Sequence, residues 1–110
     1  MMNVEIVGTN LSTSAALIEH THRTVQSALA RFGRRIKRVI VRLSDRNGHR
    51  GGPDKRCRVD LVMHKLGSVH VEAVGFDAYA VVDEATGKIR NVANRRLERV
   101  QQRRVQPAIA

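Results

Sequence analysis

Aromatic side chains are scarce in this chain of 110 residues, which has no tryptophan and only Phe32, Phe76 and Tyr79. Proteins that stack the bases of single-stranded nucleic acid on a sheet need exposed aromatic residues on adjacent strands. The strands that the hydrophobic pattern predicts carry His, Asp and Glu at the outward positions instead. The composition therefore disfavours recognition by base stacking.

Cysteine occurs once, at Cys57, which excludes an internal disulfide and agrees with a reducing compartment. No apolar run is long enough to span a bilayer, and the N-terminus lacks the charged-then-apolar layout of a signal peptide. We therefore expect a cytoplasmic protein with no membrane partner. The length predicts one core, with a single domain over residues 1–105 and a short flexible tail at 106–110.

Negative charge is also scarce, since 10 Asp and Glu stand against 20 Lys and Arg, for a formal net charge of +10. Like charges repel one another in a compact state, so this excess suits a polyanionic partner. The strongest cluster falls in the second half of the last predicted helix, where Glu98 is the one acid among seven bases: Lys88, Arg90, Arg95, Arg96, Arg99, Arg103 and Arg104. This exceeds what the helix dipole requires and favours a polyanion-binding surface over a merely solvated face.

The hydrophobic periodicity predicts an α+β fold of order β-α-β-β-β-α: a four-stranded mixed sheet with two helices packed on one face, like a double-stranded-RNA-binding domain. The predicted elements are strands at 2–7 and 36–44, a helix at 15–32, a basic loop at 45–56, a hairpin around 65–67 and a helix at 78–104. Ser12, Thr13 or Ser14 is expected to cap the first helix and Asp77 the second, while Gly33 ends the first. The hairpin is expected to have a three-residue loop, Lys65-Leu66-Gly67, with these apolar pairs facing each other: Met63 and Val69, Leu61 and Val71, and Val59 and Ala73.

Nothing in the sequence predicts catalysis. Cys57 is expected to be a buried structural thiol, and the glycines between Gly48 and Gly52 lack the Lys-Ser/Thr step of a phosphate-binding loop. The residues with metal-ligand chemistry, His64, His70, Asp60 and Glu72, would lie on a flat, open sheet face without supporting groups. We therefore expect no enzyme activity, no cofactor, no metal and no small-molecule substrate.

Two segments of the chain resemble a known family. Residues 29–43, LARFGRRIKRVIVRL, resemble the helix-to-strand passage of the ribosome hibernation promoting factors, also called ribosome-associated translation inhibitors or sigma-54 modulation proteins. Residues 76–85, FDAYAVVDEA, followed by Lys88-Ile89, are similar to the opening of that family's second helix. There an Asp caps, a Tyr follows two residues later, and an aliphatic–Asp pair precedes a Lys–aliphatic step. The predicted element order agrees with the family over nearly the whole chain.

The resemblance implies binding to the small ribosomal subunit, where basic helices contact 16S rRNA phosphates in the mRNA and tRNA channel and inhibit translation during stress. By resemblance, Lys88 and Arg95 fall where the family has basic residues, while Asp77 and Tyr79 match as a helix cap and a helix–sheet anchor. Charge alone adds further candidates for rRNA binding: Arg99, Arg103, Arg31, Arg34 and Arg35. The chain looks like a short form without a dimerisation domain, expected to be a monomer off the ribosome. Whether it pairs ribosomes or only silences single ones stays open.

Two other classes of function are compatible with the sequence. A generic double-stranded-RNA binder should carry a basic N-terminal end on its last helix, whereas here that end holds Asp77, Asp83 and Glu84. A regulator that binds an acidic protein partner, such as a transcription factor, would also explain the positive charge. Cosedimentation with ribosomes at graded salt separates these alternatives.

Overall fold

The computed structural model describes residues 3–9, 13–45 and 54–105, with side chains as far as residue 101 in the last helix. The elements follow in this order: β1 (Val4–Thr9), α1 (Ala15–Leu29), a 3-10 segment (Ala30–Arg35), β2 (Ile36–Asp45), β3 (Lys55–Met63), β4 (Gly67–Gly75) and α2 (Ala78–Val105). The four strands form one sheet in the order β1-β2-β3-β4, in which β1 runs parallel to β2 and the other neighbours are antiparallel. The predicted element order and mixed sheet are confirmed.

The core lies between one face of the sheet and the two helices. Alternate residues of β2 are buried, as in Val39, Val41 and Leu43, because successive side chains of a strand point to opposite faces. The helices contribute residues at spacings of three and four, which place side chains on one stripe: Leu17, Thr21, Val25 and Leu29 from α1, and Val82, Ala85, Ile89, Ala93 and Leu97 from α2. Each buried Val, Leu or Ile side chain among them contributes about 1.5–3 kcal/mol. The opposite face of the sheet is left open.

The first helix ends earlier than predicted. Its N-cap is Ser14, whose Oγ accepts the Leu17 amide at 3.1 Å, but the α-helix stops at Leu29 rather than Phe32. The tighter 3-10 segment that follows turns Phe32 into the core, where it is 2% exposed. Gly33 then adopts a φ of +46°, which the absence of a Cβ allows. It lies within the 3-10 segment, and the C-cap of α1 is Ala30, so the prediction that Gly33 ends the first helix is wrong.

The register predicted for the β3–β4 hairpin is wrong by two residues. Met63 lies opposite Gly67 and Leu61 opposite Val69, so the turn consists of residues 64–66. The faces are unchanged because a slip of two keeps the alternation in phase. The turn folds Leu66 into the core, where it is 6% exposed, whereas the predicted loop would have left it at the tip.

Charge on the open face also selects the observed register. Arg58 lies opposite Glu72, and Asp60 lies opposite His70. In the predicted register Asp60 would have faced Glu72, and like charges directly opposite one another destabilise a sheet.

The strands that flank the predicted loop are longer than expected. β2 reaches Asp45 and β3 begins at Lys55, so both ends of the loop predicted at 45–56 are in the sheet. The rest of that loop, residues 46–53, lies outside the described residues, as do Met2, Ser12 and the predicted tail at 106–110. Across the described ranges, no helix is long and apolar enough to cross a membrane.

Candidate nucleic-acid interface

Three of the bases of α2 lie along one side of the helix. Asp77 caps the helix as predicted, because its Oδ1 accepts the Tyr79 amide at 3.2 Å. Lys88, Arg95 and Arg99 are separated by seven and four residues, so they lie on one stripe beside the buried residues of α2. We call Lys88, Arg95, Arg96 and Arg99 the basic flank.

Three arginines of the basic flank surround a small concavity. Arg95, Arg96 and Arg99, together with Val92, line a hollow of about 150 Å³. Arg96 is half-buried, and its Nη1 donates to the Leu66 carbonyl at 2.6 Å, which fixes α2 against the β3–β4 turn. Arg95 and Arg99 are exposed, and within the described part of the chain neither has an ion pair or a side-chain hydrogen bond. Their planar guanidinium groups are free to bind phosphate oxygens in a bidentate manner.

Lys88 is partly engaged by its own protein. Its Nζ donates to the backbone carbonyl of Glu72 on the edge strand β4 at 3.0 Å and lies 4.0 Å from the Glu84 carboxylate. The side chain is still 50% exposed. Lys88 therefore ties α2 to the sheet and presents only part of its charge to a partner.

The predicted arginines of the 3-10 segment lie at the same end of the molecule as the basic flank. The Arg35 carbonyl accepts the His64 amide at 2.7 Å, which joins this segment to the turn that Arg96 also contacts. Arg34 is exposed, and the guanidinium of Arg31 lies 5.6 Å from the centroid of the Phe32 ring in a cation–π contact. The 3-10 segment and the basic flank thus both contact the β3–β4 turn. The Arg103 side chain is not among the side chains that the structure describes.

Tyr79 joins the two helices and is not the helix–sheet anchor that the sequence predicts. Its ring meets the His20 ring of α1 edge to face, with 5.1 Å between the centroids, and the side chain is 38% exposed. His20 also contacts Asp83 of α2, with 2.8 Å between Nε2 and Oδ1. Tyr79 contacts α1 because the first turn of α2, which carries it, lies beside that helix.

Arginines of the open sheet face are paired with carboxylates, a feature that the sequence analysis did not predict. The closest pairs join Arg38 to Glu5 at 3.0 Å, Arg42 to Asp60 at 2.7 Å, and Arg58 to Asp60 at 3.1 Å. Glu72 adds longer contacts of 3.7 Å to Arg56 and 3.8 Å to Arg58. The hydrogen bond from Arg58 to Asp60, with further attraction from Glu72, raises the pKa of Arg58.

The four residues considered for metal binding do not form a site. His64 lies in the β3–β4 turn, away from His70 on β4, and Asp60 and Glu72 are engaged by arginines. In the described ranges no group of three or more His, Cys, Asp or Glu is placed to hold a metal ion. Cys57 is buried as predicted, and burial raises the pKa of its thiol to about 12, so its nucleophilic thiolate form is suppressed at neutral pH.

Comparison with solved structures defines the class of fold. The crystal structure of the Thermus thermophilus Protein Y N-terminal domain is 21% identical, with a TM-score of 0.71 over 86% of this chain and 98% of that chain. A ribosomal subunit interface protein from Coxiella burnetii is 17% identical, with a TM-score of 0.73 over 86% of this chain and 96% of that chain. The described chain therefore has the fold of these two proteins.

A match to the sequence model of a protein family identifies the family of this chain. The model described as "Sigma 54 modulation protein / S30EA ribosomal protein" matches residues 4–102, and the chain belongs to this family. The resemblance predicted from the two segments is thereby confirmed. A search of curated proteins found no match.

Proposed function

We propose that this protein binds the small ribosomal subunit through 16S rRNA in the mRNA and tRNA channel and inhibits translation by occupying that channel. The observation that carries the proposal is the basic flank, where Arg95 and Arg99 hold guanidinium groups without partners among the described residues. Membership of a family of S30EA ribosomal proteins supports the ribosome as the partner. Residues 1–105 would act as one binding domain, in the cytoplasm, as a monomer off the ribosome.

The geometry suits binding to the backbone of a folded RNA. The 28 residues of α2 make a rod of about 42 Å at 1.5 Å per residue, and the flank runs along its middle, from Lys88 to Arg99. Guanidinium groups that meet phosphates release counterions, so affinity should fall steeply as salt rises. Arg31, Arg34 and Arg35 would extend the contact at the same end of the molecule, together with Lys88 and Arg103 on α2.

Inhibition would require no catalytic step. The fold is held by a continuous core, so the bound domain would act as a rigid obstacle rather than as a folding-on-binding segment. Message and tRNA would be excluded while the domain stays bound, and dissociation would restore translation. This mechanism explains ribosome hibernation without a cofactor.

The test combines sedimentation and translation. The purified protein is spun with small subunits, with large subunits and with a long RNA duplex at a series of salt concentrations, and translation by purified ribosomes is measured with and without it. We expect the protein to follow the small subunit and to reduce translation. Equal binding to the duplex would favour the generic RNA binder, and failure to bind either subunit would contradict the proposal and favour an acidic protein partner.

A further inference from the structure

A second concave surface lies between the two helices. It is a groove of about 460 Å³, within the size range of small-ligand sites, and it is open to solvent. Its walls come from two stripes at helical spacing: Arg23, Thr24, Ser27 and Ala28 of α1, and Asp83, Thr86, Gly87 and Arg90 of α2. The groove therefore contains one arginine and at least one hydroxyl group from each helix.

The groove is separate from the basic flank. Two residues along an α-helix correspond to a rotation of about 200°, so Arg90 lies on the other side of α2 from Lys88. The basic flank borders β4 through the contact of Lys88 with Glu72, whereas Arg90 borders α1. A ligand in the groove and a polyanion on the flank would contact different residues.

The two arginines and the Ser27 hydroxyl of the groove are available to a ligand. The Thr86 hydroxyl donates to the Val82 carbonyl at 2.7 Å, and the Thr24 hydroxyl has only a long contact of 3.5 Å with His20 Nε2. Among the described residues, Arg90 has no ion pair, and Arg23 has only an exposed contact of 3.6 Å with Glu19, which contributes little. Ser27 has no side-chain hydrogen bond within the same ranges. The one acid in the wall, Asp83, has its Oδ1 2.8 Å from His20 Nε2, so this oxygen is engaged by α1.

Gly87 keeps the floor of the groove open. A Cβ built at this position has no atom within 4 Å, so the space above the helix backbone is empty here. Gly in a helix costs about 1 kcal/mol relative to Ala, and packing does not explain the cost because nothing approaches the glycine. The open space at Gly87 leaves room for a ligand between the two arginines.

We propose that this groove binds a phosphate group, held between Arg23 and Arg90 with the Ser27 and Thr24 hydroxyls as further donors. Arginine matches a phosphate with paired hydrogen bonds, and two arginines on separate helices would grip it from both sides. The phosphate would come either from a free nucleotide or from an RNA backbone. This site stands apart from ribosome binding, since none of its residues belongs to the basic flank.

The test is a titration of the isolated full-length chain followed by amide chemical shifts at constant ionic strength. The probes are inorganic phosphate, 5′-UMP, which carries a terminal phosphate, and the dinucleotide UpU, which carries only an internal phosphodiester. We expect saturable shifts within residues 23–28 and 83–90. Arg23→Gln and Arg90→Gln should each weaken binding about tenfold, because each removes a charge-assisted hydrogen bond.

Two variants at Gly87 of similar size and different charge separate loss of binding from loss of folding. Gly87→Glu and Gly87→Gln both place a better helix former in open space, so both should raise the melting temperature. Both fill the groove, and Glu adds a negative charge, so Glu should abolish binding and Gln should weaken it. Arg95→Gln with Arg99→Gln, on the basic flank, should leave the shifts in the groove unchanged.

The probes also separate the two sources of phosphate. Shifts with 5′-UMP and inorganic phosphate but not with UpU identify a free nucleotide, and similar shifts with UpU identify an RNA backbone. Absence of saturable shifts in the groove with all three probes, or shifts that Arg23→Gln and Arg90→Gln leave unchanged, would overturn the proposal. Ribosome binding through the flank would be untouched by that result.

Discussion

Arginine plays opposite parts on the open face of the sheet and on the basic flank of α2. On the sheet, Arg38 pairs with Glu5, and Arg42 and Arg58 share Asp60. On the flank, Arg95 and Arg99 have no such partner within the described residues. The same residue type, at similar density in the sequence, therefore neutralises carboxylates in one region and leaves positive charge unpaired in the other.

This difference supports the basic flank as the proposed binding surface. A guanidinium paired with a carboxylate contributes little to the potential at a distance, whereas a cluster of unpaired ones attracts polyanions. Exposed pairs also contribute only about 0–1 kcal/mol to stability. The formal charge of +10 is thus not spread evenly over the fold, and the helix side carries the part that a polyanion would meet.

The largest effect is expected from reversing charge on the flank. Arg95→Glu with Arg99→Glu should lower affinity for the small subunit about a hundredfold, because each lost hydrogen bond to a charged group contributes about 1.5–3 kcal/mol. The melting temperature should barely change, since neither guanidinium has a partner in the described part of the chain. Sedimentation assays measure the affinity, with Arg95→Lys and Arg99→Lys as the control that retains charge. Unchanged affinity in the reversed variant would remove the flank from the interface.

The second-largest effect is expected on stability at high pH, and it comes from Cys57 on the core side of the sheet. Cys57 has a pKa of about 12 in the folded state against an ordinary value of 9.0, because burial disfavours the thiolate. A raised pKa means that the folded protein holds the proton longer, so stability falls as the pH rises from about 9 towards 12, by up to about 1.4 kcal/mol per pH unit. Urea unfolding of the wild type and Cys57→Ala should show their stability difference shrinking over that range. A constant difference would mean that the thiol is hydrated.

Removing the shared carboxylate tests the paired region. Asp60→Asn leaves Arg42 without its charged acceptor and Arg58 with only the longer contact to Glu72, so the free energy of unfolding should drop by about 1 kcal/mol. The open face should also bind a long RNA more tightly at low salt, because it gains net positive charge. Glu5→Gln, in the more exposed pair with Arg38, should lower the free energy of unfolding by only a few tenths of a kcal/mol. Chemical denaturation and filter binding measure the two effects, and no gain in RNA affinity would refute the neutralising role.

Lys88 is the member of the basic flank that contacts the sheet, and the smallest effect is expected there. Lys88→Met keeps the aliphatic chain but loses the hydrogen bond to the Glu72 carbonyl, so stability should fall by about 0.5–1 kcal/mol. Affinity for the small subunit should fall only severalfold, because the ammonium is shared with β4. A full tenfold loss with no change in stability would show that the ammonium belongs entirely to the interface.

The sequence predicts the faces of the fold better than its register. Alternation in β3 and β4 assigns the buried residues correctly, but a slip of two residues satisfies the same pattern, and the hairpin register was therefore wrong. Two features that the alternation does not encode select the true register. One is the pairing of Arg58 opposite Glu72 on the open face. The other is Leu66 buried in the core, whose carbonyl accepts a hydrogen bond from Arg96 of α2. The early end of α1 has a similar cause, since burial of Phe32 favours the tighter segment.

The candidate sites also differ in how far local sequence patterns predict them. The density of bases on α2 is visible in the sequence, because a single helix carries it. The structure places Lys88, Arg95 and Arg99 on one side of that helix and Arg90 on the other. The ion pairs of the sheet depend on which strands are neighbours, as for Arg38 and Glu5, which are 33 residues apart. The groove between α1 and α2 depends on how far apart two helices lie, which no local pattern encodes.

The most direct test compares two variants that each lose two positive charges. Arg95→Gln with Arg99→Gln changes the flank, and Arg38→Gln with Arg42→Gln changes the sheet, and affinity for the small subunit is measured across a salt series. The flank variant should bind more weakly, with the slope of log affinity against log salt reduced by about 2, and the sheet variant should match the wild type. Equal losses in both variants, or a larger loss in the sheet variant, would contradict the account.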